Sequence, residues 1–170
     1  MKMAKNTNEK FEALRDAILV RKAVTSVLRV LFLQSQKRAE NLQIDLEHAN
    51  TCEECNSLKE KIRVEKFNQR LIEQEFRTIA EASAKLTGSL REGNTIFPNK
   101  DASYCAAEIA ERRVCMDRAV ASCNVLLDEL QFIAEEVYAD KNKFTALALR
   151  IKALFDKIKR VRQADNRFLR

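Results

Sequence analysis

The residues best suited to chemistry gather once, at His48 and Cys52-Glu-Glu-Cys55. Cys and His are zinc ligands, and C-x2-C is a common half-site, but a complete site needs four ligands. His48 is the one histidine, no second C-x-x-C occurs, and Cys105, Cys115 and Cys123 are spaced unlike a ligand pair. His48, Cys52 and Cys55 are thus the metal candidates of an incomplete set, and neither metal nor cofactor is expected. A redox role for the cysteine pair needs a thioredoxin-like βαβ setting. A Cys-His nucleophile needs an orienting group and an oxyanion site as well. Asp45-Leu-Glu-His48 supplies one acid-x-x-His motif, where a di-metal bundle needs two and two further carboxylates. Gly88 and Gly93 are followed by Ser and Asn, not by the Gly-Lys-Ser/Thr of a phosphate-cradling loop. No residue is assigned a catalytic role. The sequence predicts a protein that is not an enzyme and takes no small-molecule substrate.

The elements that would position these residues are helices. The 170-residue chain has 2 Gly, 1 Pro and no Trp, where average usage gives roughly 12 Gly and 8 Pro. That shortage excludes all-β, collagen-like and Gly-rich nucleotide-binding α/β folds, which need many turn residues. At 46% hydrophobic the chain is not a disordered polyampholyte.

Apolar residues recur at alternating steps of three and four from Met116 through Cys123, Leu126, Leu130 and Ile133 to Val137. They do so again from Phe144 through Ile151, Leu154 and Ile158 to Val161. Such spacing gives one stripe per helix, suited to shallow packing. In the first half Phe11, Leu14, Ile18, Val24, Val27, Leu28 and Leu31 form one stripe. A second runs from Leu58 and Ile62, past Glu65 and Gln69, to Ile72, Phe76, Ile79 and Leu86. The two differ in register, and two candidate capping boxes, Thr51 with Glu54 and Ser57 with Glu60, lie between them. Asp140 or Asn142 could cap a last helix.

These signals predict an all-α, antiparallel up-down four-helix bundle with coiled-coil-like packing. The helices fall at about 8–49, 57–87, 102–138 and 142–165, with a loop at 88–101 holding both glycines and Pro98. The alternative is two very long helices in one hairpin. Residues 1–7 read as a flexible N-terminus, 8–165 as one domain and 166–170 as a basic tail. The most apolar run, Ile18–Leu33, contains Arg21, Lys22 and Arg29 and is too short to span a membrane, so it reads as a buried helix. Five cysteines and no apolar stretch behind the basic start suggest a cytoplasmic chain with reduced thiols.

The net charge of +6 is unevenly spread. Residues 1–38 sum to +6, residues 39–149 to −6 and residues 150–170 to +6. In an up-down bundle the N-terminus, the 88–101 loop and the C-terminus share one end. There Lys2, Lys5, Lys10, Arg91 and Lys100 would join Lys157, Lys159, Arg160, Arg162, Arg167 and Arg170 in a basic pole. Ile96 and Phe97 in the loop are candidates for docking, or for a lid on the bundle. Three functions fit. One is a non-enzymatic helical scaffold or adaptor acting through protein contacts and self-association. The second is an accessory protein binding nucleic acid through the basic pole. The third is a small inhibitor docking on a larger protein or nucleoprotein machine.

Overall fold

A computed structural model describes residues 2–99, 103–137 and 141–168, with side chains over 11–99, 103–137 and 142–166. The chain forms α1 (Lys2–Glu47), α2 (Cys52–Thr95), α3 (Cys105–Glu136) and α4 (Lys141–Ala164), closed by a 3-10 turn, Asp165–Phe168. The helices touch in ring order, α1 on α2, α2 on α3, α3 on α4 and α4 on α1. Arg38 pairs with Glu65 while Arg21 shares a groove with Arg91, and Glu92 pairs with Arg118 while Glu75 meets Glu129. Asp117 pairs with Arg162 while Leu130 shares a groove with Phe144, and Asp16 pairs with Lys157 while Leu31 lines a groove with Phe144, so every neighbouring pair is antiparallel. The fold is the expected up-down bundle, not the single long hairpin.

The boundaries differ from the expected ones for local reasons. The Thr51 capping box forms: Thr51 Oγ1 accepts from the Glu54 N–H at 3.2 Å and Glu54 Oε2 from the Thr51 N–H at 3.3 Å. It starts α2 at Cys52, ahead of 57, and leaves Ser57 and Glu60 inside the helix. At the other end α2 runs through both glycines to Thr95, so the 88–101 loop shrinks to Ile96–Asn99 among the described residues. Gly93 is buried against α3. A Cβ there would stand 2.7 Å from Met116 Cε and 3.1 Å from Cys115 Cβ, so glycine serves helix–helix approach and not a turn. α1 begins at Lys2, ahead of 8. Val137 turns extended and closes α3. Asp140, a candidate cap, lies outside the described residues.

The stripes of α3 and α4 are buried as read, and Ile72, Ile79 and Leu86 of α2 join them. The α1 stripe needs correction. Ala13, Ala17, Val20, Val24, Leu28 and Leu31 face the core, while Phe11 and Ile18 are exposed and Leu14 and Val27 only half-buried. Because 11–33 is apolar on both sides, a stripe drawn through the larger residues passes over the alanines that let α1 sit close.

Helix lengths are unequal. At 1.5 Å per residue α1 and α2 span about 69 and 66 Å, α3 and α4 about 48 and 36 Å. Glu129 of α3 meets Glu75 of α2, so α3, ending seven residues later, stops opposite about residue 68. Phe144 of α4 shares a groove with Leu31 and Gln34. Beyond these points α1 and α2 continue as a two-helix extension, residues 35–47 and 52–69.

Candidate interaction surfaces

At the end where the α1 start, the Ile96–Asn99 connection and the α4 end meet, charged residues tie helices together. Arg112 and Asp165 are 0% and 1% exposed and paired Nε to Oδ2 at 3.2 Å. Arg112 occupies a stripe position, three residues after Ile109 and four before Met116. Asp165 follows Val161 by four. Both stand in the sequence as charged residues within apolar stripes, a signal that a search for apolar spacing passes over. Lys157 of α4 binds Asp16, with Glu12 at 3.6 Å. Arg162 grips Asp117 with two contacts, 2.6 and 3.0 Å. Arg113 donates to Asn166.

Two residues of the expected basic pole take part in these ties. Lys157 and Arg162 are engaged between helices. Lys159 stands 4.2 Å over the Phe155 ring, a cation–π contact. Arg91 and Arg160 are exposed. The side chains of Lys2, Lys5, Lys10, Lys100, Arg167 and Arg170 lie outside the described residues. The exposed bases on α4 are Lys143, Arg150, Lys152, Lys159 and Arg160, against one exposed acid, Asp156, among its described residues.

The second surface is the outer face of α1. Phe11, Arg15, Ile18, Lys22, Ser26, Arg29, Leu33 and Lys37 succeed one another at steps of three and four, and all are exposed. Leu19 and Val30 flank them, at 54% and 41% exposure. The stripe alternates apolar and basic side chains and holds no acid among the described residues. The apolar run expected to be buried is thus buried on one side only. Beside the stripe a groove of about 600 Å³ is walled by Arg21, Thr25 and Arg29 of α1 and by Thr87 and Arg91 of α2. A second groove of about 460 Å³ adjoins it through Arg29, with Phe32, Ile72, Phe76, Arg77 and one acid, Glu73.

The third surface is the two-helix extension. Its inner half, 35–39 with 61–70, has six bases against one acid, +5. Its outer half, 40–60, has six acids against one base, −5. Ser35 Oγ donates to Glu65 Oε2 at 2.8 Å and Arg38 Nε to Glu65 Oε1 at 3.0 Å, which explains the polar gap at Glu65 in the α2 stripe. Val64 and Phe67, 55% and 65% exposed, stand two heptads before Thr78 and Glu81. Those two line the α2–α3 groove, so Val64 and Phe67 continue the α3-facing flank past the end of α3.

Within the bundle Glu75 interrupts the stripe between Ile72 and Ile79 and is buried. Its hydrogen bond to Glu129, then burial, then the charge of Glu129 raise its carboxyl to about 7, so the pair shares a proton near neutrality. Burial pushes the Cys123 thiol up to about 12 and raises that of Cys115. These buried thiols fill space between helices.

The three metal candidates sit at the tip of the extension. His48 Nδ1 lies 2.8 Å from the Ile44 carbonyl, and Cys52 and Cys55 are free thiols in the first turns of α2. Among the described residues no three His, Cys, Asp or Glu side chains are grouped to hold a metal ion, and no helix is long and apolar enough to cross a membrane. Of the loop candidates Ile96 is half-buried and Phe97 is 65% exposed. Compared with protein-family models, curated proteins and solved structures, the chain matches none.

Proposed function

We propose that this protein is a non-enzymatic helical scaffold that works by protein–protein contact, holding an acidic amphipathic helix of a partner on the outer face of α1. The carrying observation is the stripe of exposed Phe11, Ile18 and Leu33 alternating with Arg15, Lys22, Arg29 and Lys37. Exposed apolar side chains in a continuous row mark contact surfaces. Unbroken basic charge selects acids and repels a second α1. The adjoining grooves have two walls, which suits a helix laid in with anchors at i, i+3/i+4 and i+7.

Fluorescence anisotropy tests this with a labelled helical peptide of about 18 residues bearing leucines on one face and glutamates beside them. The peptide should bind the wild type and lose at least about tenfold in affinity with Leu33→Asp or Arg29→Glu. The same peptide with lysines in place of glutamates should not bind. Equal binding of both peptides, or binding of anionic vesicles without the acidic peptide, would overturn the assignment.

A second reading, a nucleic-acid accessory, rests on the bases of the α4 outer face. It predicts that a duplex of about 20 base pairs binds with a salt slope of about −0.9 per phosphate contact, lost on reversing Arg150, Lys152 and Arg160. The α1 substitutions would leave it intact.

A further inference from the structure

The extension is a half-built bundle. Among the described residues only α1 and α2 run over 35–69, and the flank that α3 covers lower down carries exposed Val64 and Phe67. A lone helix pair is a poor structure in water, since most helix stability comes from packing an apolar face against neighbours. The charge along it is not random. The outer acids are Glu40, Asp45, Glu47, Glu53, Glu54 and Glu60, with Lys59 the one base in that half. The inner bases are Lys37, Arg38, Lys61, Arg63, Lys66 and Arg70, with Glu65 the one acid. Arg63 and Glu60 pair across the boundary at 3.8 Å.

A surface with −5 at one end and +5 at the other is complementary to itself turned end for end. We infer that a second copy of the chain covers it. Two extensions pair antiparallel about a two-fold axis, so that the acidic tip of each lies along the basic base of the other and together they make a second four-helix section. The pairing is isologous and closed, so it yields a dimer and not a filament. Parallel pairing would set acid on acid and base on base, which is costly at close range. The area suffices: with the α1 part about 20 Å long, the α2 part about 27 Å long and each about 10 Å wide, one extension offers roughly 470 Å², and mutual cover approaches the order of 1,000 Å² that a specific interface needs. Val64 and Phe67 of each copy add apolar contact in its basic half, and the charges set the direction.

The inference rests on the reading of the chain as a contact scaffold, but it uses a different surface from the α1 stripe, so the peptide titration and the following test fail independently. Two charge-swap variants are made at exposed positions: E40K/D45K/E47K at the tip and K61E/K66E/R70E at the base. Light scattering should find the wild type dimeric, with association weakening as salt is raised from about 0.1 M to about 1 M and the screening length shrinks from about 10 to about 3 Å. Each variant sets like charges together and should associate at least about tenfold more weakly. An equimolar mixture should recover the dimer, because each tip again meets an opposite base. Recovery in the mixture also shows that both variants are folded. F67Q, which leaves the charge halves in place, should weaken the dimer as well. A wild type monomeric at every concentration and salt, variants that associate as well as wild type, or a mixture that stays monomeric would each overturn it.

Discussion

Arg112 places a guanidinium where the α3 stripe otherwise holds Ile109 and Met116. Its burial is tolerable because Asp165 comes with it, and the pair locks the closing 3-10 turn onto α3. Removing one partner leaves an uncompensated buried charge, which costs about 3–5 kcal/mol. Arg112→Ala or Asp165→Ala should therefore lower the urea-denaturation midpoint strongly. The double change Arg112→Met with Asp165→Leu should recover most of that loss, since an apolar pair of similar volume avoids the desolvation penalty. Glu75 has the opposite character. Its folded carboxyl sits at about 7 against an ordinary 4.5, so between those pH values the folded protein holds a proton the unfolded chain has released. Stability falls as pH rises through that window. Glu75→Gln keeps the donor to Glu129 without the ionisation. It should match wild type near pH 4 and exceed it near pH 8 by about 2–3 kcal/mol, read by urea titration at both values. Both sites are visible in the sequence as charges at stripe positions. What it could not show was which opposite residue answered each, because Asp165 and Glu129 come from other helices at distant positions.

At the level of the helix, periodicity located the cores of α3 and α4 because each has one apolar stripe. It misjudged α1, which has two. The inner stripe of α1 is partly alanine and the outer one is basic and apolar. Substitution separates them. Leu33→Gln on the outer face should change stability by less than about 0.5 kcal/mol, while Leu28→Ala, 1% exposed, should cost about 2–5 kcal/mol, both measured by urea denaturation. The glycines of α2 divide in the same way. A Cβ added to Gly88 would meet nothing within 4 Å, so Gly88→Ala should stabilise by up to about 1 kcal/mol. Gly93→Ala should destabilise, since Cys115 Cβ and Met116 must give way. A differential scanning comparison of the two would show opposite signs. Reading glycine as a break was wrong in both cases. Gly93 answers to a neighbour on the next helix, near Cys115 and Met116, which no local signal records.

Across the whole molecule, stability is graded along the axis. The four-helix part holds the buried stripes, while the described residues of the extension include one buried apolar side chain, Ile62. At concentrations where the chain is monomeric, native-state hydrogen exchange should show amides of 36–66 opening at lower free energy than those of 79–90 and 119–133. Uniform protection would contradict that grading. The net charge of +6 describes this molecule poorly. Its organisation lies in where charge is placed: inside the bundle on interhelical ties, along α1 and α4 on exposed bases, and along the extension on two opposed halves.

The thiols are graded along the same axis. Cys105, Cys115 and Cys123 are buried, Cys55 is half-buried and Cys52 is exposed beside the tip. A maleimide dye added to folded protein therefore reacts first at the far end of the extension, and with Cys55 replaced by Ser it marks one point per chain. Antiparallel partners hold two such marks apart by about the 27 Å length of the overlap, whereas tips packed side by side would bring them to about one helix diameter. Resonance energy transfer between labelled copies turns the placement of one small side chain into a gauge of how the copies are arranged.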